Sequence, residues 1–134
     1  MALQLSVAVR NARLDAIETT AGASAKLRLL SGAAPADCAT AQSGTLLCEI
    51  ALPADWLANA SAGSKIKSGT WSGTGAAAGT VGYFRVVDAA GTTCHLQGTV
   101  TATGSGGDMT LDNTVIAATQ AVTVNTFSLT DANA

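Results

Sequence analysis

The sequence predicts a mainly-β protein: an antiparallel β-sandwich or jelly-roll-like barrel with one N-terminal helix or arm. Seven or so short runs alternate apolar and polar residues, the period of a half-buried strand, and Gly-rich or Asp/Asn turns separate them. Thr is abundant on the outward positions of these runs, where it favours strands and keeps a surface soluble without charge. A single stretch, near the start, carries a helical period instead. With 134 residues there is room for one core. The expected layout is a helix or arm over 1–22 and a single β-sandwich domain over 23–134.

The helix candidate is QLSVAVRNARLDAIETT, residues 4–20. Leu3, Val7, Leu14 and Ile17 fall near one stripe, Arg10, Arg13 and Glu18 lie off it, and Gly22 is placed to end it as a C-cap. β-Branched Val7 and Val9 leave a second reading open, with a strand over 3–9 and the helix beginning at Asn11. From Ala25 the period becomes that of a strand, with Ala25, Leu27 and Leu29 inward and Lys26, Arg28 and Leu30 outward. Residues 31–44, rich in Ala, Ser and Gly, read as a long loop, a class that often carries contacts. TLLCEIAL (45–52) is the next strand, with Leu46, Cys48 and Ile50 on one face, and Pro53 ends it. Residues 53–60 read as one helical turn that docks Trp56 and Leu57 on the sheet, with Asp55 and Asn59 as turn groups. Lys65 to Lys67 begin a short extended run toward Trp71. GTGAAAG (73–79) reads as a flexible loop, since it lacks the Lys-Ser/Thr ending of a phosphate cradle.

The centre of the predicted sheet is the hairpin TVGYFRVVDAAGTTCHLQGTVT, residues 80–101. A three-residue loop of Ala89, Ala90 and Gly91 closes it, with Gly91 supplying a positive φ. Facing residues then sum to 180. Val86 opposes Cys94, Phe84 opposes Leu96 and Gly82 opposes Gly98 on an apolar face; the two glycines leave a hollow for Trp56 or Trp71. Val87–Thr93, Arg85–His95 and Tyr83–Gln97 make the other face, a polar strip offered to solvent or to a neighbouring subunit. Tyr83, Arg85, His95 and Gln97 are therefore the candidate interface residues, and Arg85→Glu is expected to weaken assembly while leaving the monomer folded. GSGG (104–107) reads as a second tight connection, followed by a strand with Met109 and Leu111 inward and a turn at Asp112 and Asn113. The last strand, 121–130, changes phase between Val122/Val124 and Phe127/Leu129, through a bulge near Asn125 or a bend from one sheet to the other.

Composition narrows the function classes. The chain is 48% hydrophobic but 4% aromatic, because 28 residues are Ala, so its core is thin and assembly is one way to add stability. Charged residues are 12%, with a net charge of −2, and no basic patch interleaves with aromatics, which argues against nucleic-acid binding. Low charge also removes a usual guard of sheet edges, so an edge should be covered by a partner or by the N-terminal segment. No apolar run reaches the roughly 18 residues that span a bilayer, and no basic leader precedes an apolar stretch, so neither a membrane nor export is expected and assembly should be cytoplasmic.

Chemistry finds few partners. His95 is the single histidine, and Cys94 and His95 point to opposite faces of a strand, which does not make a nucleophile pair. The carboxylates are scattered; Asp108, Asp112 and Asn113 near the Gly-rich loop lack EF-hand spacing and read as turn formers. Cys38, Cys48 and Cys94 are too irregular for a zinc site and read as reduced, buried thiols, with a Cys38–Cys48 bridge as the alternative. No catalytic, cofactor or metal residue is predicted, and no enzyme.

The segments NARLDAIETTAGASAKLRLLSG (11–32), TLLCEIALPADW (45–56), SGTWSGT (68–74), AAGTTCHLQGTV (89–100) and GGDMTLDNT (106–114) resemble small proteins encoded in the structural gene clusters of tailed bacteriophages and prophages. The resemblance spans most of the chain and implies a virion component; it carries no catalytic residues over. Within virions, a small β-sandwich of low charge suits a capsid decoration or cement protein. The expectation is a homo-oligomer, with a trimer favoured, on the outer capsid surface of the virion and bound to the major capsid protein, assembled in the host cytoplasm. A tail- or fibre-associated adaptor is the alternative. A carbohydrate-binding module or small cell-wall-acting enzyme is a third reading, and its sugar platform would need Trp56, Trp71 or Tyr83 exposed.

Overall fold

A computed structural model describes residues 3–131. Its elements in chain order are α1 (Val7–Ala21), β1 (Lys26–Ser31), β2 (Leu46–Ala51), β3 (Ser64–Ile66), β4 (Trp71–Thr74), β5 (Gly79–Val87), β6 (Cys94–Ala102), β7 (Met109–Leu111), β8 (Val115–Ile116), β9 (Ala121–Val124) and β10 (Ser128–Thr130). The fold is mainly β, a curled, largely antiparallel sandwich or barrel-like body with one N-terminal helix. The main sheet runs β2-β1-β5-β6-β7, with β8 on the far end of β5, while β10–β3 and β4–β9 form two small pairs.

The helix forms from its caps more than from its stripe. Ser6 Oγ accepts the Val9 N–H, and the Gly22 N–H, at φ 93°, closes the C-terminus on Glu18 O. Leu14 and Ala21 are buried and Ile17 packs on the core, but Val7 is exposed, so the first turn of the expected stripe has no cover. The strand alternative for 3–9 does not occur.

The core forms a chain of aromatic contacts. Trp56 and Trp71 have ring centroids 6.0 Å apart, Phe127 lies 5.5 Å from Trp71, and Phe84 meets Phe127 edge-on at 5.6 Å. Each indole N–H is satisfied: Trp56 donates to Gly22 O and Trp71 to Ser68 O. Residues 53–60 form a turn at Ala54–Asp55, not a helical turn, yet Trp56 and Leu57 dock as expected. The hollow expected at Gly82 and Gly98 is not where the tryptophans go. Gly82 is the extra residue of a bulge against β1 and lies on the Gly32 backbone, while Gly98 is pressed by Phe84 and Asp108.

Three connections differ from expectation. The β5–β6 hairpin pairs Arg85 with Gln97 and Val86 with Leu96, two residues off the predicted register, because Asp88 accepts the Thr92 and Thr93 N–H groups and the loop is closed by Asp88 N–H to Thr93 O. A bulge at His95 then brings Cys94 opposite Val87. GSGG does not make a hairpin: β7 runs parallel to β6, Val100 pairing with Met109. With only three residues in β7 the return path is short, and Thr101 Oγ1 pins it by accepting the Gly107 N–H. Third, the phase change in 121–130 is a change of partner, from β4 to β3, and it keeps Val122, Val124 and Phe127 buried.

The outer edge of β2 is covered by the chain itself rather than by the N-terminal segment. Gly75 bridges Cys48, and the Ala76 N–H donates to Leu47 O. Gly75 has no room for a Cβ, which would meet the Ala117 carbonyl.

Candidate functional site: a strapped polar face

Tyr83, Arg85 and Gln97 come together on one face of β5 and β6, as expected, but Tyr83 and Arg85 are buried there and Gln97 is half-buried, so the strip is not open to solvent. Residues 32–44 fold across it as a strap. Arg28 and Leu30 on β1 and Val87 on β5 share the face; Leu30 and Tyr83 are fully buried and Val87 nearly so. Burial of Leu30, read as outward from its alternation, follows from this second layer.

The strap has few apolar side chains and is held by hydrogen bonds to its backbone. Arg85, 4% exposed, donates through Nη2 to Asp37 O at 3.1 Å and Thr40 O at 2.6 Å, and through Nε to Gln97 Oε1 at 3.1 Å. Gln97 in turn donates to Pro35 O at 2.9 Å. Tyr83 Oη accepts the Ser43 N–H at 3.0 Å and donates to Ser43 O. Asp37 turns the strap back by accepting the Thr40 N–H and hydroxyl, which hold its carboxyl below the usual carboxylate range. A buried guanidinium is retained because carbonyl oxygens replace its water.

His95, the fourth residue of the expected strip, is the bulge residue and is half-buried. Because the bulge inverts the alternation, Cys94 leaves the core face predicted for it and turns to the strap. There its thiol points at Cys38 Sγ, 2.9 Å away. Burial and then the neighbouring Cys38 push the Cys94 thiol up to about 12. Cys48 is fully buried elsewhere, its thiol directed at Thr74 O, so a Cys38–Cys48 bridge does not match the packing. Arg28, Thr40, Gln42, Arg85, Cys38 and Cys94 border a cavity of about 240 Å³ at the strap edge.

A second polar cluster lies under α1. Lys65 on β3 is 2% exposed and reaches Asp15 Oδ1 at 2.7 Å, Glu18 Oε2 at 3.0 Å and Ala58 O at 2.9 Å. Burial, the largest effect, lowers the Lys65 ammonium, but the hydrogen bonds it donates to Asp15 and Glu18 outweigh it and the net shift is upward. The Asp15 carboxyl is correspondingly lowered, first by its bond to Lys65 and then by the Ala60 N–H.

The remaining sequence candidates have structural partners. Asp112 accepts from Thr103 Oγ1 and Asn125 Nδ2, Asn113 turns the chain by accepting the Val115 N–H, and Asp108 accepts from the Thr99 N–H and hydroxyl. Among the described residues no three His, Cys, Asp or Glu side chains group as a metal site, and no helix is long and apolar enough to cross a membrane. Trp56, Trp71 and Tyr83 are all 0% exposed and present no aromatic platform. No family model, curated protein or solved structure matches the chain.

Sequence reasoning found the polar strip and missed its cover. The signal was present: a 14-residue stretch (31–44) without an apolar period, adjacent in the sequence to a strand whose outward face still held Leu30. It also missed the Lys65 cluster, whose parts lie 50 residues apart.

Proposed function

We propose that the protein is a structural subunit of a tailed-phage virion that decorates the outer capsid surface as a homo-oligomer, most simply a trimer, and stabilises the shell by clamping the major capsid protein. The observation that carries this reading is the leading end of the molecule: Leu3, Val7 and Val9 are 81%, 45% and 45% exposed on and just before the first turn of an otherwise docked helix. Apolar side chains left exposed there favour burial against another chain. Other features support an assembly role. The buried cations Lys65 and Arg85 are committed to internal partners, and a compact mainly-β body of low charge packs closely against a repeating surface, where weak contacts gain avidity by repetition. The resemblance of five segments to phage structural proteins points the same way.

Reconstruction of a particle containing the protein tests the proposal. Density for this fold between capsid subunits is the expected result; density on the tail or baseplate alone defeats it and supports an adaptor. Mass measurement of the purified protein reports its oligomeric state.

A further inference from the structure

We infer that Cys38 and Cys94 form a disulfide in the folded protein, so that the strap carries a redox latch. The pair stands on geometry that two separate devices create. Arg85 grips the strap on both sides of Cys38, through Asp37 O and Thr40 O, and the Asp37 turn fixes the residues between. The His95 bulge brings Cys94 round to the same face. The two sulfurs are held 2.9 Å apart, under an ångström beyond an S–S bond of about 2.05 Å. Both residues are half-buried beside an open cavity, whereas Cys48 is enclosed.

The co-reactant is a small-molecule disulfide such as oxidised glutathione. The Cys38 thiol gives its proton to solvent and its thiolate attacks one glutathione sulfur, expelling a glutathione thiolate. The Cys94 thiol then gives up its proton to solvent, attacks the Cys38 sulfur of the mixed disulfide and expels the second glutathione thiolate. Both departing thiolates take up protons. Two protein thiols are oxidised and one glutathione disulfide is reduced to two thiols. The sequence balances equally with the two cysteines exchanged.

The latch joins residues 56 apart, so it restricts the unfolded chain strongly, and a rise in Tm on the order of 10 °C is expected on oxidation and lost on adding dithiothreitol. The test treats the folded protein with oxidised glutathione, then alkylates it after denaturation without reductant. Expected are a product two hydrogens lighter before labelling, label on Cys48 alone, and a linked peptide pair containing Cys38 and Cys94. Cys38→Ser and Cys94→Ser should each abolish the Tm gain, and Cys48→Ala should retain it. Label on all three cysteines after oxidation, stable glutathione adducts without the linked peptide, or a link to Cys48 would each overturn the proposal.

Discussion

Arg85 sits under the strap with its donors directed at two carbonyls and an amide oxygen. Replacing it with glutamate would set a carboxylate against those acceptors and leave the strap unheld. The expected outcome is therefore not a folded monomer that fails to assemble but a loss of about 3–5 kcal/mol of stability, seen as a lower midpoint in urea denaturation. Gly82 makes a comparable demand through its backbone. A Cβ there would enter the Gly32 carbonyl, which belongs to the entry of the strap. Gly82→Ala should cost about 2–4 kcal/mol, by the same measurement, with Gly104→Ala as a control for glycine loss where there is open space but a positive φ. At this scale the sequence was informative about which side chains are large and apolar, hence the correct burial of Trp56, Trp71 and Phe84. It was silent on bulges. One inserted residue at His95 and one at Gly82 reassigned Cys94 and displaced the expected hollow, because alternation carries no mark of where it is interrupted.

Among the elements, α1 is attached by an ionic clasp as much as by Leu14 and Ala21. Its pH dependence follows from the direction of two shifts. Asp15 is depressed below 3.8, so its contribution is present above that value and is lost as pH falls through the lower folded value. Lys65 is raised above 10.5, so its contribution is complete below that value and is lost as pH rises through the higher folded one. Between these limits the helix should stay docked. Hydrogen exchange at the Ala60 and Gly63 amides, which donate to Asp15 and Asn11, should accelerate beyond the intrinsic rate change as pH falls below 3.8 and as it rises above 10.5. Lys65→Met should remove the alkaline limb and cost about 2–3 kcal/mol, since Asp15 and Glu18 are left facing each other. The parallel β6–β7 pair was not legible, because GSGG signals a reversal of direction without specifying whether the next strand pairs on its way back or after a second turn.

For the whole molecule, the class was legible because period and turn chemistry are local properties summed over many strands. The strap and the helix clasp were not, since each depends on contacts more than 35 residues distant in the chain. The assembly reading makes its own prediction at this scale. Val7 and Val9 occupy the first turn of α1, which carries no acidic residue, so Val7→Asp with Val9→Asp should leave Tm unchanged or slightly raised through the helix dipole. The same variant should no longer add to capsids lacking the wild-type protein in a pelleting assay. Undiminished binding would place the contact elsewhere.

The helix is also tied to the other end of the described chain: Arg10 donates to Asp131 O and Arg13 pairs with the Asp131 carboxylate, while the Asp131 N–H closes on Gly63. The first of these partners are separated by 121 residues, so at ribosomal speeds Arg10 is made roughly ten seconds before the residue that holds it. Final docking therefore waits until Asp131 has emerged. During that interval Leu14, Ile17 and Ala21, which pack on the core once α1 docks, are unshielded on the nascent chain, whereas Val7 and Val9 are exposed before and after.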